Sequence, residues 1–164
     1  MIKIELDDHH VSEKLKHIVV QLKRPRKLYG VLGEQLKKIH NNRFKQEKSP
    51  DGEKWQPLSP LTRQVKGNDH ILKDSHQLRN TLAYNYSDQG VEFGSALKYA
   101  RLHQFGGTIV PKKAKRLRLG KSSVYAKKVT IPARPWLGIS KQDEPLLLRK
   151  AHRVLESQIQ QVLK

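Results

Sequence analysis

The chain has 164 residues, with 33 Lys and Arg against 15 Asp and Glu, so its formal net charge is +18. This length suits one domain, and the excess of cations predicts attraction to nucleic acid or to acidic protein surfaces. The absence of cysteine excludes disulfide scaffolds, thiolate metal sites and cysteine nucleophiles. No apolar run approaches the roughly 18 residues of a membrane span, and the acidic N-terminus does not resemble a signal peptide. We therefore expect a soluble protein of a reducing compartment.

Two amphipathic helices are predicted in the first 45 residues. After an N-cap at Asp7 or Asp8, apolar residues recur with helical spacing at Val11, Leu15, Ile18, Val19 and Leu22. Pro25 is expected to end this helix. The apolar face of the second helix is formed by Leu28, Leu32, Leu36, Ile39 and Phe44. Gly33 lies inside that helix, where glycine costs up to about 1 kcal/mol of helix stability.

An irregular loop is predicted over residues 45–60, which contain Pro50, Pro57 and an Asp-Gly turn signal. We expect Trp55 to attach this loop to the body of the protein. A short helix follows over residues 74–82, and its N-cap is expected to be Asp74 or Ser75. Its inward-facing side chains are expected to be those of Leu78 and Leu82.

The second half of the chain mixes strands with helices. In residues 83–95, apolar or aromatic side chains alternate with polar ones on both sides of a turn, which predicts a β-hairpin. Residues 98–105 predict a short helix that ends at Gly106. The β-branched residues of 108–110 and 129–131 predict two strands that pair with each other.

A last helix is predicted to begin after an N-cap at Ser140 or Asp143, with Pro145 in its first turn. Its buried residues are expected to be Leu147, Leu148, Ala151, Val154, Leu155 and Val162. The whole pattern predicts an α+β fold. We expect one core, on which two N-terminal amphipathic helices, a small mainly antiparallel sheet with a long basic hairpin or loop, and a C-terminal helix pack. No repeat or flexible linker is present, so we expect a single domain over 1–164.

The connection between the two predicted strands, residues 111–128, is called the basic arm here. It holds no acid and eight cations: Lys112, Lys113, Lys115, Arg116, Arg118, Lys121, Lys127 and Lys128. Such a cluster is typical of phosphate contacts with nucleic acid, and it equally fits an acidic protein surface. With Tyr125 as its one aromatic residue, the arm is a poor platform for stacking single strands.

Catalytic and metal motifs are weak. His10, Glu13 and His17 share a helical face, but neither HExxH nor CxxC spacing occurs, so we expect a solvated polar face. The neighbours Asp74, Ser75 and His76 cannot converge as a catalytic triad from one helix. We therefore expect no enzyme activity, no metal and no cofactor. A phage nuclease is a minor alternative that incubation with plasmid and Mg²⁺ or Mn²⁺ would expose.

Three blocks in order resemble the phage virion morphogenesis family, which includes tail-completion proteins and Mu-like G proteins. They are P-D-G at 50–52 with Trp55, Y-A-x-x-H-Q-F-G at 99–106, and P-A-R-P-x-L-G at 132–138. The likeness covers about residues 10–160. Where a T-G-x-L pattern is expected before the middle helix, this chain has His76 and Gln77 instead, a difference that bears on the helix start.

The resemblance implies a non-enzymatic structural protein that acts in tail completion or head–tail joining at the neck, in the host cytoplasm during assembly or in the virion. It also implies a ring-forming homo-oligomer that contacts tail or neck and portal proteins. Residues that could form such an interface, or simply pack in the core, are Trp55, His103, Gln104, Phe105, Arg134 and Trp136. The alternative is a basic DNA-binding protein that contacts phosphates non-specifically through the basic arm.

Overall fold

The computed structural model describes residues 9–119 and 124–164. Its helices are α1 His9–Lys23, α2 Arg26–Gln46, α3 Pro60–Lys66, α4 Gln77–Asn80, α5 Ala100–Phe105 and α6 Glu144–Leu163. Its strands are β1 Ala83–Tyr86, β2 Val91–Gly94, β3 Gly107–Ile109, β4 Leu117–Arg118, β5 Tyr125–Ala126 and β6 Val129–Ile131. The α+β class is confirmed. In the described residues the strands form three separate two-stranded antiparallel pairs, β1–β2, β3–β6 and β4–β5.

The helix α2 is the central element of the fold. It begins directly after Pro25 and ends where Glu47 adopts a left-handed conformation with φ 55°, so that the Glu47 N–H bonds the carbonyl of Arg43. Its predicted apolar face is confirmed: Leu36, Ile39 and Phe44 are buried, and the face contacts both the β1–β2 hairpin and α6. Leu28 and Leu32 are half-buried.

Aromatic side chains dominate the core. The ring of Phe44 lies 5.4 Å from that of Trp55 in an edge contact and 6.1 Å from that of Trp136. The loop after α2 is therefore attached through Trp55, as predicted. The remaining buried members of this cluster are Ile71, Leu78, Leu82 and Ala100. The inward positions of Leu78 and Leu82 are thereby confirmed.

One of the two glycines inside α2 has a packing role that composition did not reveal. A Cβ at Gly33 would lie 2.2 Å from Cδ2 of Tyr84, so only glycine lets the β1–β2 hairpin approach α2 this closely. The Tyr84 hydroxyl then donates to Oε1 of Glu34 at 2.6 Å. The cost in helix propensity is thus offset by contact between helix and hairpin.

Three details of the predicted helices were wrong. The helix predicted over 74–82 spans only α4, and its N-cap residue is His76 in a left-handed conformation rather than Asp74 or Ser75. The helix α6 lies on the surface against α1 and α2, so none of its residues is fully buried. Leu148 is 68% exposed because it lies on the side away from those helices, whereas Leu147, Ala151, Val154, Leu155 and Val162 are half-buried.

The first helix forms as predicted from His9, and the proposed caps Asp7 and Asp8 lie outside the described residues. Its apolar stripe, however, remains largely in solvent. The exposed fractions are 56% for Leu15, 48% for Val19 and 48% for Leu22. α1 contacts only the surface helix α6 extensively, so the rest of its apolar face has no partner within the described chain.

Candidate functional site

The segment 132–138 crosses the core and is fixed there by hydrogen bonds from both sides. The guanidinium of Arg134 donates from Nε to the carbonyl of Gln56 at 2.8 Å and from Nη2 to that of Pro57 at 3.1 Å. The indole of Trp55 donates to the carbonyl of Pro135 at 2.8 Å. Proline has no backbone N–H to donate, so this segment cannot pair as a regular strand. Hydrogen bonds from side chains hold its backbone in place instead.

The side chain of Gln104 acts on the same segment as a substitute for a neighbouring strand. Its Oε1 accepts the N–H groups of Trp136 and Leu137, both at 2.9 Å, and its Nε2 donates to the Leu137 carbonyl at 3.0 Å. The indole of Trp136 donates in turn to the Ala100 carbonyl at 3.2 Å. Helix α5 and segment 132–138 are therefore held together by their shared polar groups.

A buried polar network joins α2 to the start of α6. Arg43 forms an ion pair with Asp143 and donates to the carbonyl of Gly138. The side chains of Arg43 and Asp143 are 8% and 14% exposed. Although burial opposes ionisation, hydrogen bonds from Ser140 and the charge of Arg43 together hold the pKa of Asp143 below its usual range.

His40 completes this network as a neutral ring. Its Nδ1 lies 2.7 Å from the Leu36 carbonyl, and its Nε2 accepts the Gly138 N–H at 3.3 Å. Burial, assisted by the neighbouring charge of Arg43, lowers the pKa of His40 to about 4. An uncharged imidazole with Nδ1 protonated fits both contacts. The side chains of this network therefore form hydrogen bonds with one another and with the backbone of Leu36 and Gly138.

Most of the six residues proposed for an interface serve the protein's own packing. The exposed fraction is 3% for Trp55, 3% for Trp136 and 5% for Arg134, a burial that fits the core alternative, while an interface role for these three stays a prediction. Gln104 is half-buried and bonded as described above. Only Phe105 projects freely, with 72% of its surface exposed. His103 is half-buried, and no described group bonds its Nδ1.

The basic arm forms a second, shorter hairpin beyond the β3–β6 pair. Leu117 pairs with Ala126 and Arg118 with Tyr125, while Lys121 lies outside the described residues. The other cations of the arm are all exposed: Lys112, Lys113, Lys115, Arg116, Arg118, Lys127 and Lys128. The arm therefore presents a concentrated positive surface.

The described residues contain no group of three or more His, Asp or Glu side chains arranged to hold a metal ion. On α1, Glu13 instead pairs with Lys16 at 3.0 Å, and His17 is exposed. Within the same described ranges, none of the helices combines the length and apolar character required to cross a membrane.

Fold and site together define a small, strongly basic α+β protein in which the buried side chains of His40, Arg43 and Arg134 form hydrogen bonds with its own backbone. The chain belongs to the phage virion morphogenesis family, whose model matches residues 6–156. It is also similar to Mu-like prophage FluMu G protein 1 of Haemophilus influenzae (strain ATCC 51907 / DSM 11121 / KW20 / Rd). The two are 27% identical over 132 residues, which cover 75% of this chain and 87% of that protein. No solved structure matches. The family membership supports a role in phage assembly.

Proposed function

We propose that the chain is a non-enzymatic assembly protein that acts in tail completion or in joining heads to tails at the neck. It does so as a ring-forming oligomer, through contacts with copies of itself and with tail or portal proteins. It acts in the host cytoplasm during assembly or in the virion, at the tail end or neck. The family membership supports the phage role, and the single observation that carries the oligomer is the apolar face of α1, most of which no described residue covers.

The exposed apolar side chains of α1 point in the same direction, because Leu15, Val19 and Leu22 are 56%, 48% and 48% exposed. A contiguous apolar surface of this kind is typical of a contact site for another protein. A closed ring would use one heterologous interface repeatedly, with α1 on one side of each contact.

We expect phage lacking this gene to yield full heads beside unattached tails, rescued when the wild-type protein is supplied. A variant with both Leu15→Gln and Val19→Gln should fail to rescue, because it places two polar groups in the middle of the exposed apolar stripe and leaves the core unchanged. Negative-stain microscopy and plaque counts measure both results. Altered tail lengths instead of unattached tails would move the role to length termination.

His17→Gln provides the matched control, because it changes an exposed residue of the same helix outside the stripe. It should rescue fully. Sedimentation velocity should show that the wild type forms a larger species than the Leu15→Gln, Val19→Gln variant, while circular dichroism of the two remains equal. Normal infectious particles in the absence of the gene would reject the assembly role altogether.

A second candidate function is non-specific DNA binding by the basic arm. The observation that favours it is the exposure of the seven described arm cations in a stretch that contains no acid. Phosphate contacts require such clustered cations, and DNA passes the neck during packaging and ejection in the role proposed above.

If the arm binds DNA, the affinity should fall steeply with salt, by a slope of about 0.9 in log–log terms for each phosphate contact. Lys112→Ala and Lys113→Ala together should reduce that slope by about 1.8. Lys38→Ala and Lys98→Ala, both exposed and outside the arm, form the control pair and should leave the slope nearly unchanged. Fluorescence anisotropy with a short duplex measures the slope. No binding at about 100 mM salt contradicts this candidate.

A further inference from the structure

A groove of about 200 Å³ lies between α2 and α6, away from the basic arm and from the network of Arg43. Two valines contribute to its lining, Val31 from α2 and Val154 from α6, and both are half-buried. Three cations and one hydroxyl complete the lining: Lys27, Lys150, Arg153 and Ser157. The groove thus combines apolar surface with positive charge.

The cations of this groove are not neutralised by the protein itself. None of the three forms a hydrogen bond or an ion pair with another residue in the described ranges 9–119 and 124–164, and no Asp or Glu lines the groove. Lys150 is half-buried, so its aliphatic stem is packed while its charge has no partner. Elsewhere on α6, Glu156 lies beside His152 at 3.4 Å. The groove is therefore complementary to a ligand that brings negative charge.

We propose that this groove binds an acidic segment of another virion protein, with one aliphatic side chain of that segment seated against the two valines. The identity of the partner class rests on the proposed function, while the chemistry of the ligand follows from the groove. A volume of about 200 Å³ suits a single leucine-sized side chain. Carboxylates on either side of that side chain would meet the cations of α2 and α6.

Two other occupants fit less well. A DNA backbone would use the cations but has no projecting aliphatic side chain to fill the space beside the valines, so the apolar surface favours a peptide over a phosphodiester chain. A second copy of this chain carries a net charge of +18, so its surface as a whole is less complementary to a cationic groove than that of an acidic protein. Charge complementarity therefore selects an acidic partner.

The test uses a fluorescein-labelled peptide of sequence Glu-Asp-Leu-Glu-Asp and the full-length chain, with binding followed by anisotropy. The variant with Lys150→Gln and Arg153→Gln should bind this peptide about fourfold more weakly, since each of the two cations contributes a factor of about two. The matched control removes the same charge from the arm, by Lys112→Gln and Lys113→Gln, and should change the affinity less than twofold. A peptide with glycine in place of leucine should also bind the wild type several-fold more weakly.

Three results would overturn the proposal. Equal losses of peptide affinity for the groove variant and the arm variant would mean that binding depends only on the net charge of the protein. Equal affinities for the leucine and glycine peptides would mean that the valines make no contact. A short DNA duplex that loses affinity selectively in the groove variant would assign the groove to phosphates. Circular dichroism must show that each variant is folded like the wild type.

The outcome can be separated from that of the proposed function. Rescue of the gene-deleted phage by wild-type protein tests the assembly role without reference to the groove. If the assembly role holds and the groove is used, the variant with Lys150→Glu and Arg153→Glu fails to rescue while the arm variant with Lys112→Glu and Lys113→Glu rescues. Full rescue by the groove variant, with the deletion phenotype intact, would reject the groove and leave the assembly role standing.

Discussion

The Arg43→Met variant is expected to lose about 3–5 kcal/mol of unfolding free energy, because it leaves a buried carboxylate without its partner. Asp143 has only 14% of its side chain exposed, and the carbonyl of Gly138 would lose a charged donor in the same step. Methionine fills a similar volume without restoring either contact. Chemical denaturation of the wild type and the variant at pH 7 measures the difference.

Four further variants, including Asp143→Ala alone, separate the contribution of the ion pair from the general effect of removing a cation. Arg149→Met changes an exposed arginine of α6 and should cost less than 1 kcal/mol. Arg43→Lys keeps the charge but not the two-pronged geometry, so its cost should be intermediate. The double variant Arg43→Met with Asp143→Ala should be more stable than the sum of the two single losses predicts. A loss for Arg43→Met no larger than that for Arg149→Met would show that the pair contributes little.

Local sequence patterns were sufficient to predict several elements. The recurrence of apolar residues predicted α2, and the turn between alternating residues predicted the β1–β2 hairpin. The β-branched runs around the basic arm predicted the β3–β6 pair within one residue of its observed bounds. These elements depend on short-range periodicity and turn chemistry, which the sequence displays directly. A single domain over the full chain stays a prediction.

The errors arose where tertiary contacts decide the outcome. An apolar stripe predicts a helix, but it does not predict whether another element covers the stripe. Leu15 on α1 and Leu148 on α6 both belong to predicted apolar faces, and both are exposed. The N-cap of α4 was wrong because His76 adopts a left-handed conformation, which local propensity does not favour.

The polar network could be predicted only in part. Asp143 was recognised as a residue near the start of α6, but its ion pair with Arg43 spans 100 positions of the chain. Arg43 and Asp143 meet only because α2 and α6 pack together. Similarly, Trp55 and Trp136 carried two interpretations at the sequence level, because an indole suits a core and an interface equally well. Burial of 97% of each favours the core.

His40 should make the protein markedly less stable as the pH falls below 6.5. The folded state lowers the pKa of this imidazole to about 4, from an ordinary value of 6.5. Between these values the unfolded chain binds the proton and the folded chain does not, so acidification favours unfolding. The stabilisation is present above pH 6.5 and is lost progressively as the pH falls toward 4. From pH 7 to pH 5 the loss from this single group is about 2 kcal/mol.

The comparison that isolates this effect is the His40→Gln variant, which has no titratable group at the position but retains a donor and an acceptor. Its unfolding free energy should be lower than that of the wild type at pH 7 and should fall by about 2 kcal/mol less between pH 7 and pH 5. Subtracting the two pH profiles removes the contribution of His103, whose pKa burial also lowers. His17→Gln, on the exposed surface of α1, should reproduce the wild-type profile. Parallel profiles for wild type and His40→Gln would mean that folding does not lower the pKa of His40, and the Arg43 network would then not hold this ring neutral below pH 6.5.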